Sequence, residues 1–112
     1  MCGIIGITSS KPVSSAIINS LRKLEYRGYD SAGLATLSEG IINEVKSEGR
    51  VENLEKNIAI KNMQGSVGIG HVRWATHGIP NTVNAHPHSS NNVSIVHNGI
   101  IENSTILKKF LI

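Results

Sequence analysis

Residues 1–8 read Met-Cys-Gly-Ile-Ile-Gly-Ile-Thr and place the only cysteine of the chain directly behind the initiator methionine. The apolar run of residues 2–8, punctuated by glycine, predicts a buried β-strand. Removal of Met1 is expected before a small side chain, and it would leave a thiol and a free α-amino group on Cys2. Because an α-amino group and a thiol have similar ordinary pKa values, the amine can accept the thiol proton near neutral pH. The segment predicts a strand that starts at a nucleophile, although a chance small residue is the other interpretation of Cys2 taken alone.

Composition narrows the class of protein. The chain has 112 residues, enough for one domain at most. Its 11 basic and 8 acidic residues are scattered, and without a basic stripe interleaved with aromatic residues we expect no nucleic-acid binding. A single cysteine excludes an intrachain disulfide and a Cys-x-x-Cys site. No apolar run is long enough to span a membrane, and no phosphate loop or dinucleotide fingerprint is present. We expect a soluble, cytoplasmic protein with no membrane contact and no cofactor.

The hydrophobic pattern alternates between strands and helices. An amphipathic helix is expected after Pro12, because Val13, Ile17, Leu21 and Leu24 recur at helical spacing, and Gly28 is its expected stop. The other predicted elements are strands over 31–38 and 41–47 joined around Glu39-Gly40, a short exposed helix over 50–57, strands over 66–74 and 92–97, a loop between the last two, and a final helix capped by Asn103 or Ser104.

The final helix reaches the end of the sequence at Phe110-Leu111-Ile112 with no glycine, proline or polar tail. Natural domains seldom finish on an unbroken apolar periodic run. We therefore expect the chain to be a fragment, with a helix that docks at the end of a complete domain as the alternative.

Two further segments carry chemistry. Arg73 offers a planar fork suited to a carboxylate, and Thr76 and His77 follow it closely; a surface ion pair is the simpler interpretation of Arg73 alone. The side-chain amide of Asn98 and the backbone N–H of Gly99 could point at one oxygen, as in an oxyanion hole, although Asn-Gly in isolation more often marks a tight turn.

Five histidines raise the question of a metal site. None of them lies in a His-Glu-x-x-His frame, and no carboxylate cluster accompanies them. We therefore predict no metal. The histidines concerned are His71, His77, His86, His88 and His97.

Taken together, the motifs resemble the glutaminase domain of the glutamine–fructose-6-phosphate aminotransferase family across the whole chain. Members of that family are class II glutamine amidotransferases. The resemblance implies an α+β fold, the N-terminal-nucleophile four-layer αββα sandwich, of which residues 1–112 would hold about the first half. The motifs that carry the resemblance are Cys2-Gly3-Ile4-Ile5-Gly6, Leu24 to Gly33, Arg73-Trp74-Ala75-Thr76-His77-Gly78, Asn84-Ala85-His86-Pro87-His88 and His97 to Asn103.

The resemblance also implies roles for individual residues. Cys2 Sγ would attack the side-chain amide of glutamine, with its own α-amino group as base and with Asn98 and Gly99 holding the oxyanion. The implied substrate-binding residues are Arg73, Thr76, His77 and His86. Trp74 would gate the passage of ammonia, and Arg27 and Gly28 would support the N-terminal cysteine.

The sequence does not contain every functional part of the family, so the resemblance does not decide whether this chain is active by itself. The family holds the α-amino group of glutamine with an aspartate further along the chain, whereas the only aspartate here is Asp30. The sugar-phosphate isomerase domains, through which fructose 6-phosphate would bind, are absent from the sequence. The resemblance implies a parent enzyme that makes glucosamine 6-phosphate and is a homo-oligomer. For this chain the alternatives are an inactive truncated product or a non-catalytic module that pairs with the missing half.

Overall fold

The computed structural model describes residues 2–57, 63–74, 79 and 81–111. The strands predicted at 2–8, 31–38, 41–47 and 66–74 are confirmed, each end within one residue of its predicted limit. In chain order the elements are β1 (Gly3–Thr8), α1 (Ser14–Leu24), a short 3-10 helix (Glu25–Arg27), β2 (Ser31–Ser38), β3 (Ile41–Glu48), α2 (Val51–Glu55), β4 (Val67–Arg73), β5 (His88–Ser90), β6 (Val93–Ile95) and α3 (Ser104–Leu111).

A four-stranded antiparallel sheet in the order β1-β4-β2-β3 forms the centre of the fold. Helix α1 packs on one face, where Ile17 and Leu21 are completely buried. A Cβ atom at Gly70 would lie 2.6 Å from Ile17, so glycine on β4 lets the helix approach the sheet closely. Full burial of an aliphatic side chain contributes about 1.5–3 kcal/mol, which is enough for this apolar face to fix α1 on the sheet.

The β2–β3 turn and the end of α1 agree with the sequence-based predictions, whereas α2 differs from its prediction. Glu39 and Gly40, at φ of 51° and 76°, make the left-handed turn between β2 and β3 that the hairpin prediction requires. Helix α1 ends at Leu24, and the following 3-10 helix ends where Gly28 N–H donates to the Glu25 carbonyl at 3.1 Å. The prediction of an exposed helix over 50–57 is wrong in one respect: α2 buries two apolar side chains in the core, those of Val51 and Leu54.

The opposite face of the sheet is partly covered by residues 81–95. The predicted loop before residue 92 contains a strand, β5, that pairs with β6, and the strand predicted over 92–97 is only three residues long. This hairpin lies over β2 and β3, because Ser89 hydrogen-bonds to Glu44 and the carbonyl of His86 lies against Gly33. The sheet is therefore sandwiched between α1 and the beginning of a second layer.

The predicted final helix is confirmed as α3, but none of its described side chains is buried. Phe110 is 85% exposed and Ile106 is 71% exposed. Among the described residues, no helix is long and apolar enough to cross a membrane.

Candidate active site

Cys2 lies at the end of the sheet, immediately before β1 and beside the end of β4. The Trp74 N–H points at Cys2 Sγ at 3.5 Å, and the Trp74 carbonyl lies 3.9 Å from the same sulfur. The Cys2 carbonyl accepts two side-chain hydrogen bonds, from Arg27 Nε at 2.9 Å and from Asn98 Nδ2 at 3.2 Å. Three distant segments thus converge on this one residue, and all of its hydrogen bonds come from motifs that the sequence singled out.

Gly28 is required by the closeness of two backbones at this site. A Cβ atom there would lie 2.5 Å from the Arg73 carbonyl carbon and 2.6 Å from Trp74 N. Both neighbours are main-chain atoms and cannot rotate away. The glycine therefore lets the segment after α1 pass directly beneath the strand end that carries Arg73 and Trp74.

We expect Gly28→Ala to lower the free energy of unfolding by about 1–3 kcal/mol, because the new methyl group must displace the backbone of β4. Gly6→Ala is the matched control, since a Cβ atom at Gly6 meets nothing within 4 Å. Urea denaturation of the two variants measures the difference. Equal stability of the two variants would contradict the close approach.

A cavity of about 670 Å³ opens in front of Cys2. It lies between the N-terminus, the end of β4 and the segment that joins β6 to α3. Of the predicted site residues, the structure brings together in its wall Cys2, Arg73, Trp74, His86, Asn98 and Gly99. Arg27 and Gly28 lie behind Cys2 and Trp74 rather than in the wall, and Thr76 and His77 lie outside the described residues.

Among the described residues of the cavity wall, Arg73 carries the guanidinium cation. Its side chain comes from the end of β4, and the residue is only 7% exposed. Nη1 donates to the Ile79 carbonyl at 3.0 Å, and the backbone carbonyl of Arg73 accepts from Asp30 N–H at 3.0 Å. The guanidinium is thus held by its surroundings at the edge of a cavity, in a position to meet an anionic group.

Asn98 and Gly99 follow β6 and face the N-terminus. Gly99 has a φ of +150°, and apart from glycine only Glu39 and Asn91 have positive φ among the described residues. A type I′ turn needs positive φ at both central residues. Asn98 and Gly99 therefore do not form a type I′ turn, and the tight-turn interpretation is wrong.

Three histidine rings lie against one another beside the cavity: those of His71 and His86 are stacked, and that of His88 is tilted against His86, which lies in the cavity wall. The ring centroids of His71 and His86 are 4.2 Å apart, and those of His86 and His88 are 4.4 Å apart. Burial lowers the pKa of His71 and that of His86 from 6.5 to about 4, and it also lowers the pKa of His88. The rings are therefore neutral near pH 7. Among the described residues, no cluster of three or more His, Cys, Asp or Glu side chains is arranged to hold a metal ion.

We expect the free energy of unfolding to fall as the pH falls from about 6.5 toward about 4. In that window the unfolded chain protonates His71 and His86 while the folded chain keeps them neutral, so protons favour the unfolded state. Urea denaturation at a series of pH values measures the effect. His71→Gln removes one of the two titrations and should make the free energy of unfolding less dependent on pH. An unchanged slope in that variant would refute the lowered pKa of His71.

Sequence reasoning missed part of the site. The cavity wall also contains His97, Ile100, Ile101, Glu102 and Ser104. Their proximity to Cys2 depends on the path of the chain after β6, which periodicity does not encode. His71 is 0% exposed, and no local sequence signal predicts this burial, because it arises from the packing of the second layer on the sheet.

The sequence of this chain is similar to those of known aminotransferases. The chain is 52% identical over 111 residues to the glutamine–fructose-6-phosphate aminotransferase (isomerizing) of Agrobacterium fabrum, and 54% identical over 113 residues to that of Clostridium acetobutylicum. Each match covers 99% of this chain. The chain is homologous to the N-terminal part of glutamine–fructose-6-phosphate aminotransferases. It spans 18–19% of the length of these aminotransferases. No family model matches the chain.

Solved structures agree on the fold. The glutamine phosphoribosylpyrophosphate amidotransferase of B. subtilis, complexed with ADP and GMP, superposes with a TM-score of 0.82 at 28% identity, over 99% of this chain and 24% of that one. A structure described as the allosteric regulatory enzyme of purine biosynthesis superposes with a TM-score of 0.85, also at 28% identity, over 99% of this chain and 25% of that one. The α+β architecture of this aminotransferase homologue is thus part of the N-terminal-nucleophile sandwich of class II amidotransferases.

Proposed function

We propose that the chain carries the glutamine-hydrolysing site of an aminotransferase, in which Cys2 attacks the side-chain amide of glutamine. The observation that supports this most strongly is the meeting of a thiol, a guanidinium and a side-chain amide on one cavity, contributed by Cys2, Arg73 and Asn98. Glutamine presents a carboxylate and an amide carbonyl at its two ends. A site with a cation, a nucleophile and amide donors fits such a molecule.

The reaction begins with loss of the Cys2 thiol proton to the α-amino group of the same residue, once Met1 has been removed. The thiolate adds to the amide carbon of glutamine, and the carbonyl oxygen becomes an oxyanion. Collapse of this intermediate breaks the carbon–nitrogen bond, and the leaving nitrogen takes up the proton to depart as ammonia. Water then attacks the γ-glutamyl thioester, which releases glutamate and restores the thiol.

The donors for the oxyanion are the Asn98 side chain and the Gly99 backbone N–H. Asn98 Nδ2 lies 3.2 Å from the Cys2 carbonyl, so the amide is already at the nucleophilic residue. Each such donor contributes about 2.7–4 kcal/mol to stabilising the transition state. The Trp74 N–H points at Cys2 Sγ at 3.5 Å and holds the sulfur at the cavity.

Substrate binding is assigned to Arg73 for the α-carboxylate, with Thr76 and His77 as further binding residues. His86 lies in the cavity wall, which supports a role in closing the site over glutamine. Trp74 is 47% exposed at the cavity edge, which supports its role in controlling the passage of ammonia. The hydrogen bond from Arg27 to the Cys2 carbonyl and the close approach at Gly28 support their assignment as residues that position the nucleophile.

In the complete enzyme we propose that the ammonia is transferred to fructose 6-phosphate, which binds outside this chain, to give glucosamine 6-phosphate. In this proposal residues 1–112 form part of the glutaminase domain, and the sugar-phosphate isomerase domains belong to the complete enzyme. A homo-oligomeric parent enzyme, a cytoplasmic location and the absence of nucleic-acid binding remain predictions.

A second candidate is a module that acts only after pairing with a complementary polypeptide. The observation that favours it is the apolar surface of α3, where Ile106, Phe110 and Leu111 are each more than 70% exposed. Such a surface in a folded domain usually marks a contact with other protein.

Glutamate release separates the two candidates. The purified chain is incubated with glutamine alone and then with a polypeptide that supplies the rest of a glutaminase domain from one of the aminotransferase relatives. Turnover by the chain alone supports the first candidate, and turnover only in the mixture supports the second. No glutamate in either preparation, with α3 still exposed to protease in the mixture, would overturn both.

A further inference from the structure

We infer that His71 is a positioning residue for the oxyanion-binding segment: its ring ties the carbonyl of His97 to the central sheet and thereby fixes Asn98 and Gly99 against Cys2. This inference rests on the proposed function. His71 itself does not lie in the cavity wall and would not touch the substrate.

The connection is a single hydrogen bond across the fold. His71 lies on β4, on the sheet face that the second layer covers, and is 0% exposed. Its Nε2 atom lies 3.1 Å from the carbonyl oxygen of His97. That carbonyl belongs to the peptide bond whose nitrogen is the backbone nitrogen of Asn98. A displacement of the carbonyl therefore moves Asn98 directly.

The segment has little else to hold it. Strand β6 ends at Ile95, and α3 begins only at Ser104. In the described part of the chain, residues 96–100 make no backbone–backbone hydrogen bond outside the regular elements. Among the described residues, the side-chain hydrogen bonds that hold it are the one from His71 to the His97 carbonyl and the one from Asn98 to the Cys2 carbonyl.

The His71 ring is itself fixed in position and in protonation state. It stacks on His86 with a centroid separation of 4.2 Å and an angle of 21° between the rings. Since a carbonyl oxygen can only accept, Nε2 carries the proton, and Nδ1 is the unprotonated nitrogen of a neutral ring. Burial keeps the pKa of His71 near 4, so this tautomer persists through the neutral range.

Two substitutions distinguish the donor from the bulk of the ring. The side-chain nitrogen of glutamine reaches the position of Nε2, whereas that of asparagine reaches only the position of Nδ1. His71→Gln therefore keeps a donor for the His97 carbonyl, and His71→Asn removes it. For His71→Asn we expect kcat for glutamate release to fall by about 10-fold to 100-fold with little change in KM, because loss of alignment and not of substrate contacts limits the reaction. His71→Gln should restore most of the loss.

A measurement without turnover tests the same connection. ¹⁵N spectra of the imidazole rings identify which nitrogen of His71 carries the proton, and amide spectra report the Asn98 side chain. We expect a neutral Nε2–H ring, and an Asn98 side-chain signal that shifts in His71→Asn but stays near the wild-type position in His71→Gln.

The outcomes are separable. A proton on Nδ1, or an Asn98 signal that is the same in both variants and in the wild type, overturns the positioning role whether or not the protein hydrolyses glutamine. Absence of Cys2-dependent turnover in the wild type, both alone and with the complementary polypeptide, together with the expected spectra, overturns the proposed function but leaves the connection from His71 to Asn98 intact. Equal losses of kcat in the two variants would mean that His71 acts only through packing and not as a positioning residue.

Discussion

Cys2→Ala is expected to lower the rate of glutamate release by at least about 10⁴-fold, because without the nucleophile the remaining groups can only bind and polarise glutamine. Glutamine binding should persist, since Arg73 and Asn98 still line the cavity. The measurement is a coupled assay for glutamate together with a calorimetric titration of the inactive variant with glutamine.

The matched control for this substitution is Cys2→Ser, which keeps the size and the hydrogen-bonding position of the side chain. A hydroxyl is a far weaker nucleophile than a thiol at neutral pH, so Cys2→Ser should be nearly as slow as Cys2→Ala. Wild-type rates in either variant would show that glutamine is hydrolysed elsewhere.

Asn98→Ala is expected to lower kcat by about 10²–10³-fold, the usual effect of removing one oxyanion donor. KM should change less, because the side-chain amide meets the oxygen most strongly once that oxygen carries charge. The variant also loses the hydrogen bond to the Cys2 carbonyl, which lies 3.2 Å from Nδ2. Steady-state kinetics at saturating and limiting glutamine separate the two parameters.

Asn92→Ala supplies the comparison for Asn98→Ala. Asn92 is exposed and lies in the turn between β5 and β6, away from the cavity at Cys2. Its substitution should leave both kinetic parameters close to wild type. An Asn98→Ala variant that raises KM while sparing kcat would mean that Asn98 binds ground-state substrate instead of the oxyanion.

Much of the fold follows from local pattern. The glycine-punctuated strand at residues 2–8, the helical spacing of Val13, Ile17 and Leu21, and the Glu39-Gly40 turn each determine their own element, and the structure confirms all three. Local pattern does not predict strand β5, because its three residues, His88–Ser90, carry no apolar alternation. It is a strand because it pairs with β6 and lies over the sheet, which is a tertiary effect.

The candidate active site shows the same difference between what local sequence determines and what tertiary packing determines. Cys2, Arg73, Asn98 and Gly99 could be singled out because their chemistry is unusual in their motifs, and the structure brings all four to one cavity. His71 could not be assigned, because its importance comes from burial and from a partner 26 residues away. Local sequence indicates which residues are reactive, whereas the groups that orient them depend on the packing of distant segments.

In the proposed reaction, Cys2 forms a covalent bond to the side-chain amide carbon of glutamine. The most direct test is to quench the reaction with acid during turnover of isotopically labelled glutamine and to locate the label by peptide mass spectrometry. We expect a γ-glutamyl thioester on the N-terminal peptide, at Cys2, and no label in Cys2→Ala. Glutamate release with no label on Cys2, or with the label on another residue, would contradict it.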